Sequence, residues 1–182
     1  MGEVGLPVPG RECGGCTVCC VLLEIQEPSI AKPAGVACRH LVEGMGCAIH
    51  ATRPDVCRTW MCGWRLIPGL SDEWRPDRSG ILIYQTPCHE PGFLTTAFIL
   101  CLMRGTEHLK DMGLLGFVQH CVTTGMPLYL SLHLGGPQRE HRFLNRLLAP
   151  LVQKNDGDGF IAVLHQIVAD LSGAGSAFRP RL

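Results

Sequence analysis

Four cysteines fall within eight residues, Cys13-Gly-Gly-Cys16-Thr-Val-Cys19-Cys20. Two successive C-x-x-C units bring three sulfurs onto one side of a turn, the spacing with which a short loop wraps a soft cation. Gly14 and Gly15 let the backbone approach closely and aim amide groups at sulfur. Cys38, Cys47, Cys57 and Cys62 supply ligands from farther along, so a bound metal would close the long loops between them. Thiolate selects zinc, copper(I) or iron–sulfur clusters over magnesium or calcium. A lone C-x-x-C says little; eight thiols within this stretch point to metal chelation.

Cys19 and Cys20 pose a separate problem, because neighbouring side chains diverge and rarely serve one tetrahedral ion. One of them can serve a second site, bridge two metals, or remain a buried thiol. Eight sulfurs divide into two four-coordinate sites, or into one four-iron cluster with spare thiols. His40 and His50 lie two and three residues after Cys38 and Cys47. Either could complete a Cys₃His site, but eight thiols need neither, and the ordinary reading is a surface or supporting imidazole. Residues 1–65 balance six cations against six carboxylates. Eight thiolates with two zinc ions would add about −4, and a four-cysteine cubane about −2. Arg39 and Arg58, each following a candidate ligand, are placed to offset either charge.

The rest of the composition narrows the classes. The chain has 182 residues with Lys+Arg 16 against Asp+Glu 16, 46% hydrophobic residues and 11 cysteines. Formal neutrality argues against a nucleic-acid binder, and the apolar fraction against wholesale disorder. Met1 to Pro9 carries Glu3 where a secretory leader would be basic, and Phe93 to Met103 is too short to span a bilayer. These features predict a cytoplasmic protein without membrane attachment, in which thiols stay reduced and bind metal in preference to pairing as disulfides. Cys88, Cys101 and Cys121 lie in or beside apolar segments and read as small buried hydrophobes. Cys88-His89-Glu90 reads as an exposed loop in which a redox or nucleophilic role stays open. No Ser-His-Asp order, phosphate loop or dinucleotide fingerprint supports another chemistry.

The elements that must position these residues predict an α+β fold. A loop-rich cysteine region spans residues 1–75, a supporting body of a few strands and three to four helices spans 76–172, and a flexible tail spans 173–182. Val21 to Ile25 reads as a short strand. Pro28, Pro33 and Gly35 punctuate the loop to Cys38. Thr52-Arg53-Pro54-Asp55 reads as the start of a helix reaching Trp64. Such a helix sets Cys57 and Cys62 on different faces unless it ends between them. Behind the division, Gly80 to Thr86 reads as a strand and Thr106 as the cap of a helix ending at Thr124, with Leu109, Met112, Leu115, Val118 and Val122 on its buried stripe. Leu128, Leu130, Leu132 and Leu134 alternate as in a half-buried strand. Helices are expected from Gln138 to Ala149, burying Phe143, Leu144, Leu147 and Leu148, and from Gly159 to Leu171, burying Phe160, Leu164, Ile167, Val168 and Leu171. Asn155-Asp156-Gly157 is the turn between them.

At its cysteines the sequence resembles the bacterial CxxCxxCC family, the YkgJ-type cysteine-cluster proteins described as zinc- or iron-chelating. The resemblance rests on Cys13-x2-Cys16-x2-Cys19-Cys20, Cys38-Arg39-His40-Leu41, Gly46-Cys47-Ala48-Ile49-His50 and Arg53-Pro54-Asp55-Val56-Cys57-Arg58. It extends over residues 11–84, since Arg75-Pro76-Asp77-Arg78 is also familial; His50 stands where the family often carries tyrosine. The resemblance implies that Cys13, Cys16, Cys19, Cys20, Cys38, Cys47, Cys57 and Cys62 chelate zinc or iron. A related cluster occurs in the much longer flagellin lysine N-methylases.

Three functions compete on this reading. The first is a non-catalytic zinc- or iron-chelating protein that folds around its metal and handles metal or a protein partner. Structural zinc contributes about 10–16 kcal/mol of apparent free energy, ample for a loop-rich segment of this size. The second is an enzyme with an iron–sulfur cluster, such as a [4Fe-4S] centre, that moves electrons or modifies protein. The third, a zinc-ribbon module for nucleic acid, is the weakest without a basic excess. If the two-part division holds, Cys16→Ser loosens residues 10–65 while the rear helices keep their protection in hydrogen exchange; equal collapse of both parts would refute the division.

Overall fold

The computed structural model describes residues 6–133 and 140–173, which form an α+β fold. They divide into two compact units, residues 6–84 and residues 85–133 with 140–173. The boundary falls at Tyr84, beyond the division expected near residue 75.

The front unit is loops stitched by short elements. They are α1 (Val18–Leu22), β1 (Leu41–Val42), β2 (Gly46–Cys47), α2 (Asp55–Thr59), α3 (Gly63–Leu66) and α4 (Pro76–Ser79). Among its described residues before Ile81, the buried large apolar side chains are Leu22, Ile30, Trp64 and Leu70. Hydrogen bonds to cationic side chains take over part of the work. The expected strand at Val21 to Ile25 is instead the end of α1, with Ile25 making one isolated bridge to Lys32. Lys32 explains the change. Its side chain is buried, and its ammonium donates to the carbonyls of Val21, Leu23 and Pro33, capping the helix end that a strand would leave extended. The helix expected from Arg53 to Trp64 breaks in the middle. α2 starts behind Pro54 with Asp55 in its first turn, Trp60 is extended, and α3 begins afresh after Cys62.

The second unit is built on a sheet. The strands β3 (Ile81–Pro87), β4 (Thr96–Leu102), β5 (Leu128–Leu132) and β6 (His141–Phe143) lie in the order β3-β4-β5-β6. The unit boundary falls inside β3. β4, read from sequence only as an apolar stretch, pairs parallel to β5 with Phe98 opposite Leu128. A parallel pair needs a crossover, here supplied by α5 (Met112–Thr124). β5 is an inner strand buried on both faces, Ser131 included, in place of the half-buried strand expected. Leu134 lies outside the described residues.

α5 starts at Asp111, whose carboxylate accepts from the amides of Gly113 and Leu114. Residues Gly105–Lys110 form a separate 3₁₀ turn, so Thr106 is not the cap, and Met112 of the expected stripe is exposed. The helix stops at Gly125 in the left-handed conformation, as expected. The helix anticipated from Gln138 is replaced by β6, antiparallel to β5, followed by α6 (Asn145–Gln153). Asn145 enforces this. Its buried amide donates to the Met126 carbonyl and accepts from the Leu128 amide, both at 2.8 Å, tying the start of α6 to the entry of β5. Phe143 is therefore in a strand, and Leu147 is partly exposed; residues 138 and 139 lie outside the described residues. α7 (Gly157–Leu171) follows the Asn155 turn and buries all five expected side chains. Residues 174–182, most of the expected tail, lie outside the described residues.

Among the described residues no helix is long and apolar enough to cross a membrane. Asn145→Ala strands a buried amide and a buried carbonyl, and is expected to cost about 2 kcal/mol; a lowered urea midpoint at unchanged slope would record it.

Candidate metal centre

The eight front cysteines are held by six pieces of local structure, and all are half-buried. Cys13 and Cys16 flank a tight turn in which the Cys16 amide donates to the Cys13 carbonyl at 2.9 Å. Gly14 sits inside it at φ +52°, a left-handed conformation that a side chain would strain. Cys19 and Cys20 follow on α1, where consecutive residues point about 100° apart. The Cys38 amide donates to the Cys20 carbonyl at 3.0 Å, fastening the returning loop to α1. The β1–β2 hairpin, with Leu41 opposite Cys47, then brings Cys47 back beside Cys38. Cys57 lies on α2, and Cys62 immediately precedes α3.

Arg11 brings the two ends of this unit together. Its guanidinium donates to the carbonyls of Trp64, Ile67, Pro68 and Leu70 and stacks 5.4 Å above the Trp64 ring. Val8 and Arg65 add two further bonds across the same seam. This fixes Cys13 next to Cys62. Gly63 lets α3 pack closely: a β-carbon there would fall 2.6 Å from Ile83 Cγ2.

The thiols line two cavities within the front unit. The smaller, about 20 Å³, is lined by Cys13, Cys16, Cys19 and Cys62, with Trp60 and Trp64. The larger, about 110 Å³, is reached by Cys20, Cys38, Cys47 and Cys57, none of which touches the smaller. Cys13, Cys16 and Cys19 border both, and so form the wall between them. Electrostatic neighbours divide in the same way: Cys57 feels Cys20, Cys38 and Cys47, whereas Cys62 feels Cys13, and Cys16 feels Cys62. Among the described residues no three His, Cys, Asp or Glu side chains are drawn close enough to hold a metal ion as they stand. The thiols ring cavities without converging on a point.

Their protonation follows from these surroundings. The Cys19 thiol donates to Cys20 sulfur, which together with burial pushes Cys19 far above the usual thiol range. The same bond holds Cys20 down to about 7 against the effect of burial, helped by the charges of Lys32 and Arg53. Burial pushes Cys16 up to about 11, opposed by the Val18 amide, and also raises Cys57 and Cys62. The amides that reach sulfur therefore come from Val18, Trp64 and Arg65, not from the glycines of the turn. Asp77, paired with Arg75 through two bonds of 2.7 Å, is held below the usual carboxylate range by that guanidinium and accepts from Cys16.

Several groups here were not singled out by sequence. Arg39 donates to the Ser29 carbonyl and to His40, and Arg58 pairs with exposed Asp55, so neither is the main charge partner of the thiols. Lys32 and Arg53 take that place beside Cys20. Arg53 lies in the Cys57 motif but was read only as part of a helix start, and the one signal for Lys32 was a lysine embedded in a proline-punctuated loop. His40 and His50 line the larger cavity, His50 bonding to Arg53. The rear cysteines are packing thiols: Cys88, Cys101 and Cys121 are 6%, 0% and 2% exposed. Cys88 is thus buried, its sulfur 3.9 Å from the Tyr129 hydroxyl, in contrast to the exposed loop expected.

At pH 7 a thiol held near 7 is about half thiolate, whereas one held near 11 is almost wholly protonated. Brief iodoacetamide treatment of the metal-free folded protein at pH 7 is expected to label Cys20 first and to leave Cys88, Cys101 and Cys121 unlabelled. Peptide mass mapping showing early label at Cys121 would contradict this assignment. Comparison with protein-family models, with curated proteins and with solved structures finds no match to this chain.

Proposed function

We propose that this protein chelates zinc or iron through Cys13, Cys16, Cys19, Cys20, Cys38, Cys47, Cys57 and Cys62, and that residues 6–84 fold around the bound metal. The observation that carries the reading is the gathering of all eight thiols, from six separate pieces of local structure, around two adjoining cavities. The donor set fits a soft or borderline ion, because every candidate ligand is sulfur. Before Ile81 few large apolar side chains are buried in the same unit, so cross-linking by metal would supply what burial does not. On this reading the chain is a member of the CxxCxxCC family, working where thiols stay reduced.

The chain's own groups have definable tasks. Binding requires thiolates, so buried Cys16 and Cys62 must each release a proton as metal enters. Asp77, at hydrogen-bond distance from Cys16, is positioned to orient that thiol before its proton leaves. Lys32 and Arg53 place positive charge beside Cys20, which favours its thiolate. The metal itself would supply the cross-link among the loops.

Protein purified without oxygen is expected to carry bound zinc or iron. Stripping with a strong chelator should raise hydrogen exchange across residues 6–66 and leave α5 and α7 protected, with recovery on adding metal back. A preparation free of both metals, whose exchange does not respond to either, would sink the proposal.

A further inference from the structure

The two cavities differ in ways that metal chelation as such does not require. About 10–15 Å³ of free volume admits one water-sized particle. On that scale the smaller cavity, about 20 Å³, has room for a single ion among Cys13, Cys16, Cys19 and Cys62. The larger, about 110 Å³, has room for a group of several atoms. Its lining holds Cys20, Cys38, Cys47 and Cys57, which it does not share with the smaller cavity, together with the shared Cys13, Cys16 and Cys19, the aliphatic Leu23, Ile25, Ile30 and Ile49, and Glu24.

A second observation comes from Arg53. Its side chain borders the larger cavity, and its Nε is buried with no hydrogen-bond partner among the described residues. A buried donor left unsatisfied costs about 1–3 kcal/mol, so such a group is normally matched to an acceptor. The acceptors suited to this cavity are anionic sulfurs. Bridging sulfide in an iron cluster offers them, and hydrogen bonds to cluster sulfur are a recognised means of setting its potential. Four thiolates around a cubane core in its 2+ state net about −2; Arg53 in the lining and Lys32 acting on Cys20 offset that charge, and Glu24 in the lining adds to it.

Resting on the metal-binding reading, we propose that the two cavities are unlike metal sites. Cys13, Cys16, Cys19 and Cys62 hold one four-coordinate zinc-class ion. Cys20, Cys38, Cys47 and Cys57 hold a sulfide-bridged iron cluster, with Arg53 donating to one of its sulfurs. The Cys19–Cys20 step on α1 is the partition: Cys20 lines the larger cavity alone, and Cys19, which borders both, serves the smaller. The small site fastens the N-terminal arm to the Cys62 end of the unit, and the large site is screened from water by aliphatic side chains.

The test uses the full chain purified without oxygen, with zinc, iron and acid-labile sulfide measured together. The expected content is one zinc, about four iron and about four sulfide per chain, with broad visible absorption. Cys57→Ser should lose iron and sulfide and keep zinc; loss of all three together would overturn the division into two sites. Arg53→Gln should keep its iron and sulfide but show a more negative reduction potential, and Arg53→Lys a smaller shift. An unchanged potential in Arg53→Gln would remove Arg53 from the cluster. Two zinc ions and no sulfide in the parent chain would overturn this assignment while leaving metal chelation standing. A chain with no metal at all would overturn chelation itself.

Discussion

The front unit is constrained by how little it can bury. Before Ile81 its described residues enclose only Leu22, Ile30, Trp64 and Leu70 among large apolar side chains, whereas the sheet and helices of the second unit enclose a continuous set. Hydrophobic burial scales with apolar area removed from water, so this unit draws correspondingly less stability from it. Cations bonded to backbone carbonyls partly make up the deficit. Arg11 gathers four carbonyls from residues 64–70, and Lys32 gathers three around the end of α1. Both act on chain segments that carry cysteines, and through them the thiols are brought within reach of one another.

α1 converts that gathering into a division. Had Val21 to Ile25 continued as a strand from Cys19 and Cys20, the two sulfurs would have pointed to opposite faces of a ribbon. A helical turn instead sets them about 100° apart, close enough for one thiol to bond the other and divergent enough that Cys20 lines only the larger cavity while Cys19 borders both. The broken helix does the same work on the far side. The helix ends between Cys57 and Cys62, with the chain extended at Trp60, yet the two do not converge: each reaches a different cavity. Two local irregularities therefore produce one consequence: Cys20 and Cys57 reach only the larger cavity and Cys62 only the smaller, while Cys13, Cys16 and Cys19 border both.

Much of this was legible in sequence where a local rule acts alone. The α+β class, β3, the Gly125 stop of α5 and the five buried residues of α7 follow from periodicity and glycine, and the three rear thiols from apolar neighbours. The cysteine pattern marked the candidate ligands without marking how they divide. What could not be read depends on contacts distant in sequence. Asn145 turns an apparent helix into a strand and a later helix by bonding to Met126 and Leu128. β4 was hidden because a fully buried strand has no alternation to betray it. Lys32 was invisible as a helix cap because it caps from ten residues downstream of α1, not from within it.

The same reasoning explains why adjacency misplaced the charge partners. Arg39 and Arg58 follow cysteines in sequence, but the residue after a ligand turns away from it on both a strand and a helix, and these two bond to Ser29 and Asp55 instead. Lys32 acts on Cys20 from across the loop, and its buried ammonium donates to three backbone carbonyls. A lysine so held cannot swing out to solvent without leaving α1 uncapped. Its positive charge is therefore fixed beside Cys20 by the fold, present before any ion arrives. Arg53 is held differently, through His50 on one side of its guanidinium, with Nε left without a partner among the described residues. One cation is fully satisfied by backbone and sets the local field; the other retains a donor. Of the two, only Arg53 lines the larger cavity, and its unpartnered Nε is the donor the fold leaves open there.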